Sequence, residues 1–298
     1  MILQQASRKK AKIRLGLSAV SGGGKTFSAI QIAKGLTNNN LSKVAIIDTE
    51  NNSADLYAHL GNFNTLPLHP PYSPERYIEA IAACENAGME VIIIDSISHE
   101  WEGKGGILEL ADSMGNQFNS AWKTLTPRHE NFKRAIIQSS CHIITTVRRK
   151  QDYVIQEKIN KQGKTVQAPV KAGFKEVTRE GWEYELTVNL EMELNHFATA
   201  SKDRTGLFMG KPSFIPSAET GKTILDWCNE GENIPSIEER INHCKTVDEL
   251  LDLYKSSPAI QETMLQKFTK RRHELEVKEG LNNIIHSQTI SENGTANH

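Results

Sequence analysis

Residues 19–26 read Ala-Val-Ser-Gly-Gly-Gly-Lys-Thr, a glycine-rich run between a predicted strand and a predicted helix. It fits the pattern G-x-x-x-x-G-K-[ST], with alanine in the first position. The glycines let consecutive backbone N–H groups curl around a phosphate, and the helix that follows directs its positive end at the same point. Lys25 would reach the β- and γ-phosphates, and the Thr26 hydroxyl would bind Mg²⁺. The predicted nucleotide-binding residues are Ala19, Val20, Ser21, Gly22, Gly23, Gly24, Lys25, Thr26 and Phe27.

The segments around this stretch alternate between strand and helix. Alternating polar and apolar residues predict a strand at 12–18, and apolar runs predict strands at 42–48, 91–95 and 141–147. Helical patterns lie at 26–36, 73–87 and 129–139. The alternation predicts an α/β core with a mainly parallel central sheet. A strand before the glycines and a helix after them also argue against the alternative, a chance glycine-rich turn.

Two acidic residues end predicted strands. Asp95 follows Val91-Ile-Ile-Ile94, where a carboxylate beside the phosphate loop would hold Mg²⁺ through water. Glu50 closes Asp48-Thr49-Glu50, after the strand that follows the phosphate-loop helix, where it could polarise an attacking water. The alternatives are an ordinary loop-starting aspartate and a solvated acidic turn.

The second half of the chain changes in character. Strands are predicted at 187–194 and 196–201, as antiparallel additions to the sheet, and a helix at 217–229. We expect a core at 1–232, a small helical appendage at 233–278 with helices at 237–244, 247–254 and 259–276, and a disordered tail at 279–298.

Composition narrows the classes of function. The 298 residues carry a net charge of −1 and are 38% hydrophobic, which excludes a uniformly basic nucleic-acid coat. No apolar run has the length of a membrane span, and no secretory signal is visible. The four cysteines have no metal-ligand spacing, so free thiols in a cytoplasmic protein are the expectation.

The motifs taken together resemble a known family. Residues 19–26, Ile46-Ile-Asp-Thr-Glu50 and Ile93-Ile-Asp-Ser96 are similar to the RecA-like branch of P-loop ATPases. Further stretches, including Asp95-Ser-Ile-Ser-His-Glu-Trp101 and Ser201-Lys-Asp-Arg-Thr-Gly206, resemble the compact RecA-like ATPases of bacteriophages and prophages. Some of those proteins act in single-strand annealing and recombination. The likeness covers roughly residues 10–230 and does not include the large N-terminal polymerisation domain of full bacterial recombinases, so it does not imply the same filament.

The resemblance implies roles for individual residues. Lys25 and Thr26 would bind phosphate and Mg²⁺, Asp95 would be the metal-holding acid, and Glu50 the base that activates water. Lys202 and Arg204 resemble paired basic residues that enter a neighbouring subunit's nucleotide site, which implies a homo-oligomer, either ring or filament. A surface turn is the alternative for that pair. Thr145 and Thr146 lie where such folds keep a polar γ-phosphate sensor.

A basic region follows the strand at 141–147. Residues 148–179 hold nine Lys or Arg and three acids, a local charge of +6. Basic loops with interleaved aromatics suit single-stranded DNA, and the predicted contacts are Arg148, Arg149, Lys150, Lys158, Lys161 and Lys164. A solvated hairpin with a turn at 158–164 is the alternative. A second basic cluster, from Arg8 to Arg14, predicts either a DNA-facing arm or a solvated chain start.

The sequence thus predicts an ATPase that uses ATP and Mg²⁺ and assembles on single-stranded DNA, with a phage or host single-strand-binding protein as a further partner and no membrane contact. Two other classes stay open. One is a nucleotide-gated loader or regulator that binds a protein partner. The other is a motor subunit of a helicase-like ring.

Overall fold

The computed structural model describes residues 8, 10–115, 118–159, 165–231, 237–256 and 264–278. Contacts within the chain divide it into two compact units, Met1–Gly231 and Glu232–His298. Residues 160–164 of the predicted turn at 158–164 lie outside the described residues, as does the predicted tail at 279–298.

The first unit is built on one central sheet. In chain order the strands are β1 (Arg14–Ala19), β2 (Val44–Asp48), β3 (Asn64–Pro67), β4 (Val91–Asp95), β5 (His142–Ile159), β6 (Thr165–Glu176), β7 (Val188–Met192) and β8 (Ala198–Asp203). Their spatial order is β3-β2-β4-β5-β1-β7-β8, and the pairs from β3 to β7 are parallel. β8 pairs with β7 in antiparallel orientation. The mainly parallel sheet and its antiparallel addition are both as predicted.

Helices cover both faces of this sheet. The first unit contains α1 (Lys25–Leu36), α2 (Pro74–Asn86), α3 (Ser98–Glu102), α4 (Ile107–Ser113), α5 (Phe118–Gln138) and α6 (Ala218–Asn229). Residues of α1 and α6 share a buried apolar cluster on one face, and residues of α2 and α5 share another on the opposite face. The result is the three-layer α/β arrangement of a P-loop NTPase core, with helices following it in the chain.

Local sequence explains several of these elements. All five residues of β4 are buried, as its unbroken apolar run requires of a central strand covered on both faces. α2 begins after Ser73, with Pro74 in its first turn, where a missing N–H is harmless. α1 and α6 approach closely because Gly35 and Gly221 face each other: a Cβ on Gly221 would lie 2.0 Å from the Ile32 carbonyl oxygen.

Four expectations need correction. β5 does not end at residue 147 but continues to Ile159, because its outer part pairs with β6 instead of with the buried sheet. α5 begins at Phe118 rather than near His129, since the helix accommodates Pro127 in its interior. The strand expected from residue 42 begins at Val44, after a 3₁₀ turn. Arg14 is buried, so it is not part of a DNA-facing arm or a solvated start.

The second unit is helical. It contains α7 (Ile237–His243), α8 (Val247–Lys255) and a helix that includes residues 264–278. Their buried apolar residues form a separate small cluster, with Ile241, Leu250 and Phe268 among its members. The first part of the helix predicted at 259–276 falls outside the described residues.

Candidate active site

The phosphate loop connects the fully buried strand β1 to helix α1. Gly22 and Gly24 have φ angles of 82° and 79°, a left-handed conformation that glycine adopts without steric cost. The first turn of α1 starts at Lys25, and the N–H groups of a first helical turn have no partners within the helix. The loop therefore offers backbone donors and a helix dipole to an anion.

The Lys25 side chain lies back over this loop. Its amino group donates to the carbonyl oxygens of Ala19, at 3.2 Å, and Val20, at 3.3 Å. Burial lowers the pKa of Lys25, and the negative charges of Asp95 and Glu50 partly restore it. The ammonium is thus placed beside both acidic residues that the sequence singled out.

Asp95 lies at the end of β4 and is only 2% exposed. The Thr26 hydroxyl donates to one carboxylate oxygen at 2.5 Å, and the Thr146 hydroxyl donates to the other. Burial raises the pKa of Asp95, while the hydrogen bonds from Thr146 and Thr26 act in the opposite direction. Two strands and the phosphate-loop helix therefore converge on a single buried carboxylate.

These oxygens fit a magnesium ion. Among the described residues, no group of three or more His, Cys, Asp or Glu side chains is placed to hold a metal. Mg²⁺ does not need such a group, because it commonly binds through one or two protein oxygens, with waters and substrate phosphates completing its shell. Thr26 and Asp95 supply a hydroxyl and a carboxylate at that point, and a cation would offset the charge of the buried carboxylate.

Glu50 follows β2, is half-buried, and lines a cavity together with Lys25 and Asp95. Its carboxylate accepts hydrogen bonds from the Ser96 hydroxyl, at 3.2 Å, and from the Arg148 guanidinium. Asp48 fixes the backbone here, because its two carboxylate oxygens accept from the N–H groups of Glu50, at 2.6 Å, and Ala54, at 2.8 Å. The sequence alone indicates no such role for Asp48.

The cavity that joins these groups has a volume of about 750 Å³. It brings together the phosphate loop, Glu50, Asp95 and the start of the outer part of β5. Phe27, for which binding was predicted, lines the wall beside Tyr57, whose ring centroid is 6.3 Å from that of Phe27. Tyr57 and His196 were missed, since only the fold brings the 3₁₀ segment Ser53–Leu60 and the β7–β8 turn to this cavity.

The predicted DNA contacts are divided between this cavity and the antiparallel pair formed by residues 149–159 and 165–176, which we call the ribbon. Arg148, Arg149 and Lys150 line the cavity at the root of the ribbon. All three are ion-paired, Arg148 with Glu50, Arg149 with Glu191 and Lys150 with Glu102. Lys161 and Lys164 lie outside the described residues, and for Lys158 only the strand backbone is described.

Lys202 and Arg204 lie on and just after β8, away from the cavity. The Lys202 amino group donates to the Glu183 carbonyl oxygen at 2.7 Å, and Arg204 donates to the Tyr184 carbonyl oxygen at 3.0 Å. Neither residue is among those lining the cavity in the described part of this chain.

The comparisons with known proteins agree with this geometry. A family described as an AAA domain matches residues 11–214, which is more than half of the chain. No curated protein shows significant similarity to the sequence. In the part of the chain that the structure describes, every helix is too short or too polar to cross a membrane. The matched segment contains the phosphate loop, Asp95 and Glu50, and the chain therefore belongs to the AAA domain family of P-loop NTPases.

Proposed function

We propose that the chain is a Mg²⁺-dependent ATPase. The observation that carries this proposal is the convergence of Lys25, the Thr26–Asp95 pair and Glu50 on one cavity. Lys25 and the backbone of the phosphate loop would hold the β- and γ-phosphates. Thr26 and Asp95 would hold Mg²⁺, which supplies charge neutralisation on the phosphate oxygens when it is bound.

Glu50 acts as the general base in this proposal. It accepts a proton from a water molecule whose oxygen bonds to the γ-phosphorus, and the bond from that phosphorus to the β–γ bridging oxygen breaks. The products are ADP and inorganic phosphate. Ser96 helps to orient the carboxylate, because its hydroxyl donates to one of the two oxygens at 3.2 Å.

Substitution of Lys25 tests the ATPase. Lys25→Ala should abolish hydrolysis, because it removes the ammonium beside the phosphates, and Glu50→Gln should abolish hydrolysis while nucleotide binding remains. Lys34→Ala, in the last turn of the same helix, is the matched control and should hydrolyse ATP like the wild type. Phosphate release measured at saturating ATP and Mg²⁺ decides the question, and unchanged turnover in Lys25→Ala would refute the ATPase.

We further propose that assembly switches this activity. Lys202 and Arg204 lie outside their own chain's cavity, which supports their use in a neighbouring copy's site. Hydrolysis should then rise more steeply than linearly with protein concentration. Arg204→Ala should lose the turnover that rises with protein concentration. Adding the Lys25→Ala variant, which still carries Arg204, should restore turnover in the Arg204→Ala chains. Strictly linear rates for the wild type at all concentrations would contradict the switch.

Single-stranded DNA is the proposed surface for assembly, in annealing, recombination or repair of the kind that phages and prophages carry out. The ribbon supports this proposal because it presents exposed Tyr153 and Phe174 together with Lys171 and Lys175. Charge reversal at Lys158, Lys161 and Lys164 should weaken binding and flatten its salt dependence. Tyr153→Ala should weaken binding at every salt concentration. Titrations at several salt concentrations measure both effects, and no change in either variant would contradict the DNA role.

A protein partner is the second candidate for the ribbon. Val154 and Ile155 are 39% and 71% exposed, and exposed apolar side chains on a two-stranded ribbon suit a protein surface as well. ATPase rate and particle size, each measured with and without single-stranded DNA, separate the candidates. A higher ATPase rate and a larger particle with DNA support the recombination role. An ATPase rate and particle size that do not change with DNA support a nucleotide-gated regulator. Directional unwinding would support a ring motor.

A further inference from the structure

A bidentate ion pair joins Glu50, the proposed general base, to Arg148, which lines the same cavity. The Arg148 Nε donates to one Glu50 carboxylate oxygen at 2.8 Å, and the Nη2 atom donates to the other. The Ser96 hydroxyl donates to the first oxygen as well. The two partners are 98 residues apart and meet because β2 and β5 flank β4 with their carboxyl ends at the same edge of the sheet.

This pair restrains the chemistry expected of Glu50. Burial raises the pKa of Glu50, but the hydrogen bonds and charge from Arg148, together with smaller effects of His99 and Ser96, outweigh it, and the resulting pKa lies below the ordinary value. A carboxylate with a lowered pKa is a weaker base, and the oxygen lone pairs that the guanidinium occupies are not available to a water molecule. Glu50 is therefore a weaker base while Arg148 holds it, and it takes a proton more readily when Arg148 has another partner.

The position of Arg148 leaves its guanidinium accessible to another partner in the cavity. Its backbone is anchored, because residue 148 pairs with Ala19 of β1 and its N–H donates to the Ser98 hydroxyl at 2.9 Å. Its side chain is 41% exposed and lines the same cavity as Lys25. Two cations, Lys25 and Arg148, thus line one cavity.

A terminal phosphate is the ligand that competes best with Glu50 for this guanidinium. The planar fork of arginine binds two phosphate oxygens as it binds two carboxylate oxygens, and a terminal phosphate carries more negative charge than one carboxylate. ADP would not compete in the same way, because its terminal phosphate is the β-phosphate, which the phosphate loop and Lys25 would hold.

We propose that Arg148 is shared between Glu50 and the γ-phosphate of the nucleotide, so that binding ATP transfers the guanidinium to the phosphate and releases Glu50 to act as base. The inference rests on the proposed ATPase function. It assigns to Arg148 a role in nucleotide recognition instead of the DNA contact that the sequence predicts.

Binding measurements on four chains test the exchange: wild type, Arg148→Gln, Glu50→Gln and the double variant. Each is titrated by calorimetry with a non-hydrolysable ATP analogue and with ADP, both with Mg²⁺. Arg148→Gln should lose tenfold or more in affinity for the analogue and stay within twofold for ADP. Glu50→Gln should bind the analogue severalfold more tightly, because Arg148 no longer has a competing partner, and this gain should vanish in the double variant.

Arg128→Gln is the matched control. Arg128 makes an equivalent bidentate pair with Glu75, in which Nε and Nη2 donate to the two carboxylate oxygens at 2.7 and 2.8 Å. Neither residue lines the cavity in the described part of the chain. Its affinities for both ligands should equal those of the wild type. The exchange is overturned if Arg148→Gln weakens the analogue and ADP equally, or if the gain from Glu50→Gln persists without Arg148.

The two proposals fail in different ways. A wild-type chain that hydrolyses ATP while Arg148→Gln binds like Arg128→Gln overturns the exchange alone. A chain with the expected binding pattern but no turnover supports the exchange and overturns the ATPase.

Discussion

Replacing Thr146 by valine removes one of the two threonine hydroxyls that hold the buried carboxylate of Asp95. Valine has nearly the shape of threonine, so the change deletes a donor without opening a cavity. A hydrogen bond to a charged group contributes about 1.5–3 kcal/mol, and 1.4 kcal/mol corresponds to a factor of ten. Loss of a partner behind a metal-binding group typically lowers metal affinity by about 10- to 100-fold. We therefore expect the Mg²⁺ concentration for half-maximal ATPase activity to rise about tenfold or more.

Thr145 provides the matched control for this experiment. It is the neighbouring residue on β5 and is equally buried, but its hydroxyl makes only a long 3.4 Å contact with the Leu15 carbonyl oxygen. Thr145→Val should keep the Mg²⁺ requirement within about twofold of the wild type. The assay is phosphate release at saturating ATP across a Mg²⁺ titration. Equal requirements in the two variants would refute the role given to the Thr146 hydroxyl.

Three further predictions concern stability and follow from buried groups. Arg14→Met should cost about 3 kcal/mol in urea unfolding, because it leaves the buried carbonyl oxygens of Ile137, Ser139 and Cys141 without their donor. The exposed Arg8→Met should cost under about 1 kcal/mol, and similar losses in the two variants would contradict this. Burial lowers the pKa of His142 to about 3, so the unfolded chain takes up a proton at a higher pH than the native chain, and stability should fall as the pH drops from 6.5 toward 3. His142→Asn should remove about 2 kcal/mol of that loss between pH 6 and 4, and parallel curves for variant and wild type would disprove the assignment. Gly221→Ala should destabilise the first unit by about 2 kcal/mol or more, because the added Cβ meets the backbone of α1 at 2.0 Å, and an unchanged melting temperature would contradict that contact.

Local patterns explain the part of the fold that the sequence predicts well. β4 was expected at 91–95 and is found there, because its apolar run matches burial on both faces. The strand–loop–helix order around the phosphate loop follows from the glycines and from Lys25 and Thr26. Asp95 and Glu50 could be proposed as partners of this loop, because each comes at or just after the end of a strand of the same sheet.

Contacts between distant segments account for what was missed. Arg14 and Arg148 both looked like solvent-exposed or DNA-facing cations, because nothing in the neighbouring sequence indicates their partners. Arg14 caps the end of α5 and Arg148 pairs with Glu50, and both contacts depend on the order of strands in the sheet. The length of β5 was missed for a similar reason: the pattern of its outer part suits a two-stranded ribbon, and its change from apolar to mixed residues looked like a strand end.

The continuity of β5 has a mechanical consequence. This strand spans eighteen residues, and beyond Arg148 its described partner is β6, whereas its inner part is held between β1 and β4. At about 3.3 Å per residue, the eleven residues from 149 to 159 would span about 36 Å as a regular strand, and their pairing with β6 is irregular between Asp152 and Tyr153. A rotation of about 5° at the root would displace the far end by about 3 Å. The strand is therefore a lever whose fulcrum adjoins the phosphate loop, and a load on its long arm would exert a torque on the backbone that carries Thr146 and Arg148.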